Sequence, residues 1–255
     1  MGLFDFLKKK SVPPAAPSAP PLDKKVAGPA KVAGDKRAQT FDRMEALQQL
    51  AEMKSPDAAT ALLKRFTFSI DPSITDQEEK DVAFQGIVFA GKDAVPAVLE
   101  FCKKAEAVTW PLKILHELLD DAEYEEKIIQ LLERFDTEYA RNVEPKLQII
   151  QALEEVKSEA VRDAVEPFLE DVNETVRFHA VATTFAQNNA ESLAPLLKLL
   201  ETEESVRVKN KVADGLLFRG WAIPSDQREA VRQALRETAF AVGAEGKIVR
   251  GASYD

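Results

Sequence analysis

Reactive side chains are few in this sequence, and their spacing limits what they can do. The 255 residues hold one cysteine, Cys102, and two histidines, His116 and His179. One thiol cannot close a disulfide within the chain. Two imidazoles and one thiol cannot build a Cys-clustered zinc site or a multi-histidine centre. No Gly-x-Ser-x-Gly elbow and no glycine-rich phosphate loop is present. The expectation is therefore no catalytic residue, no cofactor and no metal. The regularly spaced polar groups are carboxylates: Glu100, Glu133 and Glu166 stand 33 residues apart. Aligned on one ridge, they would suit a protein partner with a basic or extended segment; spread over a solvated face, they would do nothing specific. Trp110 and Trp221 fall between helical segments. They are read as junction packing first and as partner hot spots second.

A repeat positions these residues. An apolar template at i, i+3, i+4, i+7 recurs six times. It reads Ala59-Leu62-Leu63-Phe66, Val95-Val98-Leu99-Cys102 and Ile128-Leu131-Leu132-Phe135. It continues as Val161-Ala164-Val165-Phe168, Leu193-Leu196-Leu197-Leu200 and a degenerate Val231-Ala234-Leu235-Thr238. Each copy is one helix stripe, and one further helix fits before each: 42–53, 76–90, 111–120, 145–156, 174–187 and 205–219. Twelve helices in six pairs result. The second Glu-x-Val-Arg stretch, at 204–207, aligns with 174–177 at an offset of 30. Thr75, Ser158, Asn173 and Ser225 are the expected caps, and Pro167 should divide its helix. Phe84, Phe89, Phe178 and Phe185 are expected in the core. Cys102 fills the slot that Phe66 and Phe135 occupy elsewhere, so it reads as a small core hydrophobe.

The stretch Asp171-Val172-Asn173-Glu174-Thr175-Val176-Arg177 has an Asp in a turn followed by Val-Arg early in a helix. It resembles the HEAT and HEAT-like repeat, as does Ala194-Pro195-Leu196-Leu197-Lys198-Leu199-Leu200. The resemblance covers roughly residues 41–243. It implies an all-α, right-handed α-solenoid of about six helix pairs (an armadillo-like superhelix) that binds other macromolecules along its ridge. Enzymes share this repeat. A di-iron hydroxylase of the family needs several His-Glu pairs, and this chain has only His116-Glu117; His116 and His179 are expected at helix flanks, each with a structural hydrogen bond. A DNA glycosylase of the family needs a basic concave face. The alternative to a scaffold is an enzyme or enzyme subunit of the phycobilin lyase or isomerase kind.

Charge divides the chain. Residues 1–40 carry eight Lys and Arg against three Asp and Glu, within an overall net charge of −9. The remainder is strongly acidic and would repel nucleic acid. Residues 1–10 join Leu3, Phe4, Phe6 and Leu7 to Lys8, Lys9 and Lys10. They read as a short anchor for a membrane surface or a second partner. Residues 11–40, with six prolines in 11–36, read as a disordered linker, and 244–255 as a tail. Neither a secretory signal nor a transmembrane run is visible, and the expectation is a cytoplasmic or membrane-peripheral protein. The functional expectation is a non-catalytic interaction scaffold or adaptor. Its self-association is left open.

Overall fold

In a computed structural model of the chain, residues 23–251 are described. Among them the protein is mostly helical. The helices are α1 (Lys24–Ala33), α2 (Thr40–Met53), α3 (Pro56–Leu62), α4 (Ser73–Ala90), α5 (Val95–Cys102), α6 (Thr109–Leu118), α7 (Asp121–Leu132), α8 (Glu144–Leu153), α9 (Glu159–Val165), α10 (Glu174–Ala186), α11 (Leu193–Thr202), α12 (Val206–Arg219) and α13 (Arg228–Ala234). Strands β1 (Phe240–Val242) and β2 (Ile248–Arg250) form an antiparallel pair. The helices α2 to α13 are the twelve that the periodicity predicts. Every template side chain from Ala59 to Leu235 is buried or partly buried. A helix this short cannot bury its apolar stripe alone and is held by its neighbours.

The packing follows chain order in two rows. In the first, α2 rests on α4, α4 on α6, α6 on α8, α8 on α10 and α10 on α12. In the second, α3 packs on α5, α7 on α9, and α11 on α13. Turns from first-row to second-row helices share one edge. Lys92, before α5, pairs with Glu123 at 2.6 Å, and Ser158, before α9, donates to Glu125 at 2.7 Å. Pro167 acts as anticipated: α9 ends at Val165, and residues Glu166–Glu170 continue as a 3-10 turn.

Several expectations are corrected. The linker assigned to 11–40 contains helix α1, which packs against α2 and α3. Val26, Ala30 and Ala33 form its buried stripe, and the Asp23 side chain caps it by accepting from the Lys25 N–H. The proline and glycine content weighs against this helix: Pro29 removes one internal hydrogen bond and crowds the carbonyl four residues before it, and packing against α2 and α3 offsets that cost. The tail assigned to 244–255 contains β2, whose Ile248 is buried; Gly246 takes φ +79° in the connecting turn, a backbone shape glycine adopts without strain. The anchor expected at 1–10, the start of the linker up to 22 and the end of the tail at 252–255 lie outside the described residues.

Register is also corrected. Asn173 caps α10 and Ser205 caps α12, each through a side-chain oxygen, so these helices repeat at 32 residues rather than 30. Val176 is fully buried, whereas Val206 is 39% exposed. The buried counterpart of Val176 is Val208. Ser158 caps α9 as expected, but α4 starts after Pro72 and α13 after Gln227. Thr75 therefore lies inside a helix, and Ser225 caps nothing. Phe89 is 61% exposed: Ala83 and Ile87 turn the buried face of α4 inward, and a position two residues beyond Ile87 faces the other way.

Candidate functional site

Charged staples hold the first-row helices in register. A base early in one helix reaches a carboxylate of the next repeat and a carbonyl of its own preceding loop. Lys146 of α8 donates to Asp171 Oδ2 at 2.5 Å and to the Asp136 carbonyl at 2.9 Å. Arg177 of α10 makes a two-pronged pair with Glu203 at 2.7 and 2.8 Å and donates to the Asp171 carbonyl. Arg43 of α2 pairs the same way with Glu79 of α4, both at 2.8 Å, and donates to the Ala38 carbonyl. Arg65 adds a third bond to Glu79 and joins Asp76 at 2.7 Å. Burial would raise the Asp76 carboxyl, but hydrogen bonds from Lys80, Arg65 and the Ile70 N–H hold it down at about 2. Burial likewise works against Glu203, and the Arg177 bonds prevail and lower it.

A groove of about 720 Å³ opens between α4, α6, α8 and the start of α7. That volume lies in the range of ordinary ligand pockets. Phe84, Leu112, Ala152 and Val156 give it an apolar lining, and Glu117, Asp121, Glu125 and Glu155 give it four carboxylates against Lys113 and Lys157. Tyr124 also lines it. Its side chain is 6% exposed, its hydroxyl has no hydrogen-bond partner among the described residues, and burial, with Glu155 nearby, pushes it up to about 12. The His116 ring meets Tyr124 edge-on at 5.0 Å. His116 is exposed at the groove and has no hydrogen bond among the described residues, which corrects the structural bond expected of it. His179 accepts from Gln151 at 3.3 Å, and burial lowers its pKa.

The predicted site residues are placed as follows. Glu100 is exposed and carries Lys103 and Lys104 as ion-pair partners on its own helix. Glu133 is exposed and has no ion pair among the described residues. Glu166 is half-buried and accepts from the buried Ser192 hydroxyl at 2.5 Å, tying the 3-10 turn after α9 to the start of α11. Trp110 stacks on Phe66 at 5.4 Å and meets Phe84 at 5.9 Å, with Lys113 over its face. Trp221 packs against Phe185 at 5.8 Å. Both tryptophans are half-buried at helix junctions. Sequence reasoning missed the groove because its carboxylates come from α6, α7 and the α8–α9 turn; the excess of acid over base in 117–125 was the available signal. Among the described residues, no group of three or more His, Cys, Asp or Glu could hold a metal ion, and no single helix is long and apolar enough to cross a membrane. No protein-family model and no curated protein matches the chain.

Proposed function

We propose that the chain is a non-catalytic adaptor: a right-handed α-solenoid of HEAT-like helix pairs whose second-row ridge takes a partner protein with a basic, extended segment, while residues 1–10 serve as a separate docking element. The observation that supports this reading is the unbroken packing of α2, α4, α6, α8, α10 and α12 in chain order, with charged staples between repeats. Such a stack presents a long surface instead of one enclosed centre. On the ridge, Glu133 is the unengaged carboxylate. Glu100 is shared with two lysines, and Glu166 is committed to Ser192, so Glu133 carries most of the attraction.

The test uses the full chain and a labelled, extended oligolysine peptide as probe. Fluorescence anisotropy should show salt-sensitive binding that Glu133→Lys weakens and the triple reversal of Glu100, Glu133 and Glu166 abolishes. Equal binding by wild type and the triple variant would remove the ridge from the proposal. Small-angle scattering tests the shape: a compact chain of this length has a radius of gyration of about 18 Å, and a solenoid should exceed it.

A further inference from the structure

The groove between α4, α6 and α8 has an apolar floor, an acidic rim and a largely buried tyrosine, Tyr124, in its wall. Its chemistry asks for a short segment that is both apolar and cationic. We propose that the occupant is the chain's own residues 3–10, with Leu3, Phe4, Phe6 and Leu7 on the floor and Lys8, Lys9 and Lys10 against the rim carboxylates.

Three observations carry this. The first is charge. Glu117, Asp121 and Glu155 are exposed and make no ion pair with any described residue, and Glu125 is engaged only by the Ser158 hydroxyl. Lys113 and Lys157 line the same groove, so four carboxylates face two lysines and the groove keeps a net attraction for cations. The second is Tyr124. Its ring is largely buried, and its hydroxyl, with no hydrogen-bond partner among the described residues, is a donor and acceptor open to the groove. A backbone carbonyl or amide of an extended segment would satisfy it.

The third is reach. The described chain begins at Asp23, whose N–H bonds Asp57 at 3.1 Å at the start of α3. Lys92, Glu123, Glu125 and Ser158 lie together around the starts of α5, α7 and α9, and Glu125 lines the groove. α3 packs on α5 and Lys92, just before α5, reaches Glu123 of α7; two steps of helix-packing size, 8–10 Å each, make about 20 Å. Residues 11–22, extended at about 3.1 Å per residue, span about 37 Å. The segment therefore reaches the groove of its own molecule with length to spare. Intramolecular docking also gains a high effective concentration, so individually weak contacts suffice.

The proposal rests on residues 1–10 being a docking element and not on the ridge, so the ridge reversal serves as its control. Benzoylphenylalanine is placed at Phe6 of the full chain, which is irradiated in dilute solution, and adducts are mapped by mass spectrometry. The expected adducts fall in the peptides of α6, α7 and α8, and their yield is unchanged on dilution. The reversal Glu117→Lys, Asp121→Lys, Glu155→Lys should lower the yield at least about fivefold, as should salt near 0.5 M, with the circular dichroism unchanged. The ridge reversal should leave it intact. Adducts elsewhere, no adducts, or a yield indifferent to the groove reversal would overturn the proposal. So would adducts joining two molecules and fading on dilution, or adducts formed only to lipid when anionic vesicles are present. Should the triple reversal unfold the chain, the salt dependence in wild type decides.

Discussion

Replacing Glu79 by Gln puts the staple argument at its greatest risk. The Glu79 carboxylate is fully buried and accepts three hydrogen bonds: Arg43 Nε and Nη2 at 2.8 Å, and Arg65 Nε at 2.6 Å. Glutamine keeps the size but removes the charge, and its amide nitrogen turns a donor toward a guanidinium. Both guanidinium groups are themselves buried. Breaking a buried pair from one side costs about 3–5 kcal/mol, because the remaining charge stays desolvated. A loss near 4 kcal/mol is a large part of the ~5–15 kcal/mol that holds a domain folded. Urea unfolding followed by circular dichroism should show it. Hydrogen exchange should place it first in α2 and α4, since stacked repeats loosen locally. The double variant Arg43→Met, Glu79→Leu should recover more than half of the loss, because Arg65 keeps Asp76 and the Phe68 carbonyl. A Glu79→Gln protein within about 1 kcal/mol of wild type would refute the view that these charges are desolvated and mutually dependent.

Three further outcomes follow from local geometry. Gly86→Ala gains up to about 1 kcal/mol of helix propensity, but its Cβ would stand 2.9 Å from Ala51 Cα and 2.8 Å from Leu62 Cδ1. Backbone cannot yield as a side chain does, so thermal unfolding should show a net loss of about 1–2 kcal/mol. Asp76 is held at about 2 in the folded chain against 3.8 for the free group. Its contribution is complete above pH 4 and disappears as the pH falls toward 2. Acid titration of stability should therefore show a component of about 2 kcal/mol in that window, absent in Asp76→Asn. Burial pushes the Cys102 thiol up to about 12; in native protein near neutral pH it should react with a thiol reagent only as fast as α5 opens, and full-rate labelling of the folded chain would contradict its burial.

Much of the fold was legible because the apolar template records burial directly. Side chains that must leave water recur at helical spacing, and that spacing counts the helices without reference to their neighbours. What failed were elements whose order comes from elsewhere in the chain. Helix α1 has a buried stripe of only Val26, Ala30 and Ala33, too small to announce itself among prolines and glycines. Strand β2 depends on β1 and on burying Ile248. The apparent repeat of Val-Arg at 30 residues was a coincidence of residue types; the caps Asn173 and Ser205 fix the true step at 32.

The candidate site was less legible than the fold. The regular spacing of Glu100, Glu133 and Glu166 suggested three equivalent carboxylates, yet lysines one turn away and the Ser192 hydroxyl engage two of them. The groove was invisible because Phe84, Glu117, Tyr124 and Glu155 are of mixed residue types that no single apolar or charge pattern selects.

The sequence by itself determined the helical class, the number and order of the repeating helices, and the contrast between a basic beginning and an acidic body. Those properties are sums or periodicities of individual side chains, each answering to water. The tertiary structure alone decided which charges are buried as staples, which remain unpaired, and that four carboxylates and a tyrosine converge on one groove. Such convergence depends on distances between segments remote in the chain, and electrostatic and hydrogen-bond energies are functions of those distances rather than of residue type.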